Sequence, residues 1–461
     1  MNPPSFPVYF DEARECAFAI ARTAAGQGFP VLLVRDVVGC FTLIVDDTDR
    51  EEAAAGCREQ WEAEFEDRIG RYRSDRVVLL ASEMFSAGAL LNSPRVVDDP
   101  DGPAAAGSVR FLDNTVVGED WARVSTPAPE TGSPRTHRTV LYGFKGGVGR
   151  STATVMLARH LADRGHAVLV VDLDLESPGA GPLLMGKELP RHGLVDYLVE
   201  SAVGNAEGME FVTRSPYSPR RSGDNIGEVW VAPARGRDPE PGGFPNAYVD
   251  KLNRVYADTP DASFATRLER AVHACEDAVA RDGDHERRPD VVLLDSRAGI
   301  HDIAAVAISR LCDLALLFGT DNAQTWSGYG DLFAAWQSSG QAPRIREKLG
   351  MVASMVPDSV HYPLESYLER FRAHAHERFE VLYDAVGADE VQDGALHDES
   401  APHWAVPILF EPGLVGMDAA DAPGWQDRRF VKAAYGEFLE TTTRRIEADL
   451  RERRDDQEGP R

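Results

Sequence analysis

The residues best suited to chemistry form a glycine-rich run, KGGVGRST, from Lys145 to Thr152. Glycines in such a loop let successive backbone N–H groups approach phosphate oxygens, and the N-terminus of a following helix adds positive potential. The run follows the apolar segment TVLYGF and precedes a predicted helix from Ser151, so strand, loop and helix stand in the order of a P-loop. The sequence therefore predicts a phosphate-binding loop, with a plain glycine-rich turn as the alternative.

The predicted ligand of this loop is a nucleoside triphosphate, together with Mg²⁺. Ser151 supplies a hydroxyl that can bind the metal, because Mg²⁺ prefers oxygen ligands and retains several waters. All residues of the run are assigned to nucleotide binding: Lys145, Gly146, Gly147, Val148, Gly149, Arg150, Ser151 and Thr152.

The run resembles the deviant Walker A motif of the MinD/ParA family of ATPases, KGGxGK followed by Ser or Thr. Lys145 matches the signature lysine of that family. The resemblance implies that Lys145 reaches the phosphates of a partner subunit, and hence that a homodimer forms when ATP binds. Arg150 departs from the pattern, which has a lysine that contacts the β- and γ-phosphates. Arginine keeps the charge, but its guanidinium is planar and longer than an ammonium group.

Carboxylates follow two of the apolar segments. Asp172 and Asp174 end the segment AVLVVDLD and are similar to the D-x-D signature of the family. The resemblance implies that Asp172 lies near the metal and that Asp174 orients the attacking water, whereas in isolation both could be solvated loop residues. Asp295 ends VVLLD in the Walker B form and would hold Mg²⁺ through a bound water. The predicted metal set is Ser151, Asp172 and Asp295.

Arg297 is a second departure from the family pattern, because Ser296–Gly299 replaces an Asp-x-Pro-Pro-Gly run. One hypothesis is that Arg297 or Arg150 stabilises transition-state charge from within its own subunit. The alternative is a structural ion pair of Arg297 with Asp295 or Asp302, and the sequence leaves both open. The predicted catalytic set is Lys145, Arg150, Asp174 and Arg297.

The base pocket is predicted from the resemblance alone. In the family, the ends of the last two strands surround the adenine, which here means Ser354 to Pro357 and Glu411 to Pro412. The family often has Asn at the first of these positions, and this chain has Ser354. The preference for ATP over GTP is therefore implied by the resemblance, and no residue identified in the sequence is assigned to a contact that distinguishes the two bases.

The pattern of apolar segments predicts two domains. Residues 1–134 alternate helical and strand patterns in a small α+β domain that ends in the linker TPAPETGSPR. In residues 135–450, continuous apolar strands alternate with helices, which is typical of a doubly wound, mostly parallel α/β sheet. The long intervals 201–288 and 358–403 predict insertions, the second with a long amphipathic helix, and residues 451–461 form a charged tail.

Composition limits the partners and the compartment. The formal net charge is -26, which disfavours nucleic acid and anionic membrane surfaces as partners. The five cysteines are scattered and contain no Cys-x-x-Cys pair, as expected in a reducing cytosol. No apolar stretch reaches the roughly 20 residues of a membrane helix. These features predict a soluble, cytoplasmic protein.

Two other sequence features give little support for a further functional site. His374 and His376 lie two apart in a predicted helix and point to different faces, so a metal pair is not predicted. Arg220 and Arg221 form a basic loop that is interpreted as an exposed turn.

The predicted function is an ATP-binding, hydrolysing switch that dimerises on nucleotide and controls a protein partner. One alternative is a nucleotide-binding regulator that has lost hydrolysis, marked by Arg150 and Arg297. Retention of Asp172, Asp174 and Asp295 argues against it. Another alternative is a DNA-partitioning carrier like ParA, which needs a basic surface that the negative net charge disfavours.

Overall fold

The computed structural model divides the chain into two compact units, Met1–Val117 and Gly118–Arg461. Each unit has its own hydrophobic core. The structure describes residues 8–93, 95–103, 107–115, 119–122, 124, 136–186, 188–219, 227–238, 247–259, 261–283, 287–383, 396–415, 422 and 424–458.

The first unit is a mixed sheet covered by helices, as predicted for an α+β domain. Its five strands run in the order β3-β2-β1-β5-β4, with β1 antiparallel to β2 and parallel to β5. Ile20 of α1 and Trp61 and Phe65 of α2 are fully buried against the sheet. The elements are α1 (Phe10–Gly26), β1 (Val31–Arg35), β2 (Phe41–Val45), α2 (Glu51–Arg68), β3 (Arg73–Leu80), α3 (Ala87–Leu91), β4 (Val97–Asp98) and β5 (Val109–Asp113).

The second unit contains an eight-stranded sheet with the order β13-β12-β11-β6-β10-β7-β9-β8. All neighbouring strands are parallel except β8, which pairs antiparallel with β9. This confirms the predicted mostly parallel α/β sheet. The strands are β6 (His137–Gly143), β7 (Ala167–Asp172), β8 (Thr213–Arg214), β9 (Glu228–Ala232), β10 (Val291–Asp295), β11 (Leu314–Gly319), β12 (Leu349–Val356) and β13 (Val406–Leu409).

Helices cover both faces of this sheet. Along β6, Val140 and Tyr142 join the core on one face, and Leu141 joins the core on the other. Strands buried on both sides must be apolar throughout, which explains the continuous apolar segments of the sequence. The helices are α4 (Arg150–Asp163), α5 (Ala180–Met185), α6 (Leu194–Ala202), α7 (Tyr248–Val255), α8 (Phe264–Asp282), α9 (Asp302–Val306), α10 (Ala323–Ser338), α11 (Ala342–Arg346), α12 (Leu364–Phe379) and α13 (Arg429–Glu458).

Several boundaries differ from those predicted. Trp121 packs 6.1 Å from Trp336 and 6.1 Å from Tyr142 by ring centroids, so the chain has joined the second core before residue 134. The interval 201–288 holds more than an insertion, since it supplies β9, which pairs with β7. The amphipathic helix predicted within 358–403 ends at Phe379 and continues as a 3-10 turn, Glu380–Leu382.

The C-terminal tail, predicted to be solvated, continues α13 as far as Glu458. Among the described residues, no helix is both long enough and apolar enough to cross a membrane.

Candidate nucleotide site

The glycine-rich run connects β6 to α4, in the predicted order of strand, loop and helix. Gly147 and Gly149 adopt φ angles of +76° and +79°, a region that side chains with a Cβ rarely enter. A Cβ placed on Gly146 or Gly147 would meet nothing within 4 Å. The loop thus has the backbone of a P-loop and an open outer side on which an anion can lie.

Asp172 and Asp295 lie side by side beneath the loop. They end β7 and β10, which are adjacent parallel strands, and they occupy the same register position. Both are fully buried. Asp172 Oδ2 accepts hydrogen bonds from the backbone N–H groups of Gly179 at 3.1 Å and Gly181 at 2.9 Å. The structure therefore brings together two carboxylates that are 123 residues apart in the chain.

Burial raises the pKa values of both carboxyl groups. The pKa of Asp172 is well above its ordinary value because the group is desolvated and lies near the charge of Asp295. Desolvation raises the pKa of Asp295 to about 6, although Ser151, Arg150 and Thr154 act in the opposite direction. Two desolvated acids that repel each other are an arrangement that a divalent cation would stabilise.

The residues present fit a magnesium ion. Asp295 Oδ2 is buried and accepts no hydrogen bond of good geometry from the described residues. A Cβ placed on Gly179 would lie 2.4 Å from the Ser151 hydroxyl oxygen and 3.7 Å from Asp295 Oδ2. Glycine at 179 thus leaves space beside two oxygen ligands of the kind that Mg²⁺ prefers.

Arg150, the first residue of α4, is turned into the protein. Its side chain is 7% exposed. One guanidinium nitrogen donates to the carbonyl oxygen of Ser296, and the other lies 3.5 Å from Asp174 Oδ2. Arg150 therefore bridges the loops that follow β7 and β10. Desolvation raises the pKa of Asp174, and the charges of Arg150 and Arg297 oppose that rise.

Arg297 forms an ion pair, but with an acid that the sequence did not indicate. Its Nη1 contacts Oε2 of Glu176, two residues after Asp174. The structural alternative considered from the sequence named Asp295 and Asp302 as partners. Asp295 instead accepts a hydrogen bond from the Thr154 hydroxyl at 3.3 Å.

Lys145 lies in the loop with its side chain partly exposed. Within the described parts of the chain it forms no ion pair or side-chain hydrogen bond. Its ammonium group is thus available to a phosphate. The described residues also contain no cluster of three or more His, Cys, Asp or Glu side chains arranged to bind a metal by themselves.

The predicted base pocket lies on the side of β6 that is opposite to Asp172 and Asp295. β12 and β13 are the second and third strands from β6, which at strand spacing is about 10–15 Å away. Ser354 is buried and donates to the carbonyl oxygen of Gly319 at 3.0 Å. Glu411 caps the short helix Pro412–Leu414 and accepts from Gly413 N–H at 2.8 Å.

An irregular backbone next to this pocket was not predicted. β12 shifts register between Ala353 and Val356, and Met355 there has φ of +53°. Such a conformation costs energy for a residue with a Cβ and is common at functional sites. The positive φ of Met355 changes the direction of the segment that leads to Pro357. Sequence patterns cannot reveal this turn because they do not report φ.

The rejected signals lie elsewhere. His374 contacts Asp321 at 2.8 Å, and His376 packs against His403 with ring centroids 4.8 Å apart, so the two histidines do not share a ligand. Arg220 and Arg221 lie outside the described residues. A cavity of about 810 Å³ between α10 and α12 is lined by Trp326 and His374, among others, and shares no residue with the predicted site.

Residues 139–371 match the family described as the CobQ/CobB/MinD/ParA nucleotide binding domain. The matched range begins in β6, includes the glycine-rich loop, Asp172 and Asp295, and ends in α12. It spans just over half of the chain. The chain therefore belongs to this family of nucleotide-binding domains. No curated protein matches the sequence.

Several solved structures are similar at low identity. The MinD cell division protein of Aquifex aeolicus is 16% identical, with 68% of this chain and 97% of that chain covered and a TM-score of 0.39. The cell division ATPase MinD of Pyrococcus furiosus is 18% identical, with 67% and 99% covered and a TM-score of 0.40. Cobyrinic acid a,c-diamide synthase from Mycobacterium smegmatis is 17% identical, with 68% and 97% covered and a TM-score of 0.39.

Proposed function

We propose that the Gly118–Arg461 unit is an ATP-dependent switch: it binds ATP with Mg²⁺, hydrolyses it slowly, and in the ATP state forms a homodimer that controls a protein partner. The observation that carries the proposal is the buried pair Asp172 and Asp295 beside Ser151. Two buried carboxylates that repel each other beneath an open glycine loop destabilise the folded protein, unless a cation and an anionic ligand bind there.

Each residue then has a separate task. The backbone of Gly146–Gly149 and the N-terminus of α4 bind the phosphates. Ser151 and Asp295 hold Mg²⁺, which neutralises phosphate charge, and Asp172 supports them. Asp174 orients the attacking water. Lys145, which has no ion pair or side-chain hydrogen bond among the described residues, reaches the phosphates of the second subunit.

The test measures ATP turnover and molecular mass together, with and without ATP, for the wild type and Lys145→Ala. We expect the wild type to hydrolyse ATP and to double its mass with ATP, and the variant to remain a monomer. Lys432→Ala is a matched control, because Lys432 is an exposed lysine paired with Asp427 at 3.3 Å. A mass that ATP does not change in any of the three chains would contradict the dimer.

One observation favours a second candidate, a regulator that binds ATP without hydrolysing it. Arg150 points into the protein, where it contacts Ser296 and Asp174. Its positive charge therefore lies against the carboxylate that is assigned to the attacking water. Arg150→Lys distinguishes the switch from the regulator, since it restores the lysine of the family pattern and replaces the guanidinium with a shorter side chain. Turnover in wild type and variant alike supports the switch, whereas turnover only in Arg150→Lys supports the regulator.

A further inference from the structure

A second arginine–carboxylate pair lies beside the phosphate loop. Asp172 and Asp295 end adjacent parallel strands in register, so the segments that follow them leave the sheet side by side. Two residues after Asp174 comes Glu176, and two residues after Asp295 comes Arg297, and their side chains form an ion pair. This pair joins the two loops one to two residues further along the chain than Asp174 and Ser296, the contacts of Arg150.

The remaining oxygen of Glu176 is also held. Tyr256 donates its hydroxyl hydrogen to Oε1 at 2.5 Å, and His301 Nε2 lies 3.7 Å from the same oxygen. The Tyr256 ring packs edge to face on His301 with centroids 5.1 Å apart. It also packs on Phe264 with centroids 5.1 Å apart. Glu176 therefore cannot turn away without losing contacts at both of its oxygens.

Tyr256 belongs to the interval 201–288 and directly follows α7. At the start of α7, Tyr248 donates to the carbonyl oxygen of Leu175 at 2.6 Å. In the middle of the helix, Lys251 forms an ion pair with Asp196 of α6 at 2.6 Å. α7 is thus fixed at both ends to the loop that carries Asp174 and Glu176.

Arg297 is held beside the proposed reaction centre by its ion pair with Glu176. Glu176 lies two residues after Asp174, the carboxylate assigned to the attacking water, and Arg297 lies two residues after Asp295, which is assigned to Mg²⁺. An arginine has five N–H donors, and its contact with Glu176 leaves others to bind phosphate oxygens. The side chain is 32% exposed, so a ligand can reach it.

We infer that Glu176 and Tyr256 are positioning residues that orient Arg297 towards the γ-phosphate, where its guanidinium stabilises the charge that develops during hydrolysis. The inference rests on the proposed function. Water attacks the γ-phosphorus, the bond to the β–γ bridging oxygen breaks, and ADP and inorganic phosphate leave. An arginine that is already oriented loses less freedom on reaching the transition state than a mobile one.

The experiment measures kcat and KM for ATP hydrolysis in the full chain and in four variants. For Arg297→Ala we expect kcat to fall by about 100-fold, the usual effect of removing one charge-stabilising donor. Glu176→Gln should lower kcat about 10-fold and Tyr256→Phe about 3-fold, as expected for residues that support a functional group. Because these groups act on the transition state, KM should stay nearly constant.

The fourth variant, Glu176→Gln with Arg297→Ala, tests whether Glu176 acts through Arg297. We expect the double variant to be no slower than Arg297→Ala alone. A purely structural role of Glu176 predicts instead that the two losses multiply, and that result would overturn the inference. Asp250→Asn is the control, because Asp250 lies on α7 in an exposed pair with Arg254 and should leave kcat unchanged.

Failure of the inference can be told apart from failure of the proposed function. Wild-type hydrolysis with an unchanged kcat in Glu176→Gln or Arg297→Ala overturns the inference and leaves the ATPase. Absence of hydrolysis in the wild type overturns both. Thermal melting of each variant checks that a lost kcat does not come from unfolding.

Discussion

The two ends of the parallel strands in the eight-stranded sheet carry buried charges in different arrangements. At the N-terminal end, Arg138 of β6 forms two hydrogen bonds of 2.7 and 2.9 Å with Glu276 of α8. At the C-terminal end, Asp172 and Asp295 face each other, and neither forms an ion pair with an Arg, Lys or His in the described parts of the chain. All four side chains are buried.

The pKa values of these acids shift in opposite directions. Burial raises the pKa of Glu276, but hydrogen bonds from His273 and Arg138 outweigh it, so the pKa of this carboxyl lies below its ordinary value. Burial raises the pKa of Asp295 to about 6, and nearby donors reduce the rise only in part. The paired acid serves the fold. We propose that Asp172 and Asp295, which form no ion pair among the described residues, bind a ligand, and the difference lies in the surroundings of these acids and not in their residue type.

The largest expected effect comes from breaking the paired end. Glu276→Gln leaves the Arg138 charge buried without a carboxylate, so the free energy of unfolding should fall by about 3–5 kcal/mol at pH 7. Urea denaturation measures it. Replacing both residues with Met should recover most of the loss, because no buried charge then remains. Wild-type stability in Glu276→Gln would show that the pair does not hold the fold.

This loss should depend on pH. The folded pKa of Glu276 is lowered, so its contribution to stability is present above its unfolded pKa and is lost as the pH falls through the folded value. The gap between wild type and Glu276→Gln should therefore narrow below about pH 4.

The next effect concerns the unpaired end. Asp295→Asn should reduce ATP hydrolysis by roughly 100-fold, because an amide binds Mg²⁺ more weakly than a carboxylate. Hydrolysis at saturating ATP measures it. Asp277→Asn is the matched control, since Asp277 is an exposed acid paired with Arg288 at 2.6 Å. Equal loss in both variants would mean that the position of Asp295 is not special.

The same substitution should stabilise the ligand-free protein. The folded pKa of Asp295 is raised, so the folded state binds more protons than the unfolded state, and wild-type stability falls as the pH rises from about 4 through 6. Asp295→Asn removes that dependence. Its advantage should grow to about 3 kcal/mol above pH 7, and denaturation without Mg²⁺ at pH 4.5 and pH 7.5 measures it. An advantage that is constant with pH would contradict the assignment.

A smaller effect should follow from filling the space beside Ser151. A Cβ on Gly179 would lie 2.4 Å from the Ser151 hydroxyl, so Gly179→Ala should displace it and weaken Mg²⁺–ATP binding by about 10-fold. Calorimetric titration measures the affinity. In Gly436→Ala, where a Cβ would meet nothing within 4 Å, the affinity should not change. The helix there should gain about 0.5–1 kcal/mol in stability. Equal affinities in both variants would contradict a site beside Gly179.

Much of the fold could be predicted from local patterns. The apolar segments before Asp172 and Asp295 are strands, and the glycine run joins a strand to a helix, because burial on both faces and left-handed glycines leave local signals. β9 was missed, since EVWVA is short and lies within a long interval that held no motif. The base pocket stays a prediction, as do the roles of all site residues.

The sequence by itself determined which residues are chemically able to form the site: the glycines, Ser151 and the acids at strand ends, whose types and neighbours suffice. Only the tertiary structure decided how they are paired. In the folded protein Asp172 lies beside Asp295. Arg150 contacts Ser296 and Asp174. Arg297 forms an ion pair with Glu176. Such pairs depend on strand order and register, which distant parts of the chain set together and no local pattern records.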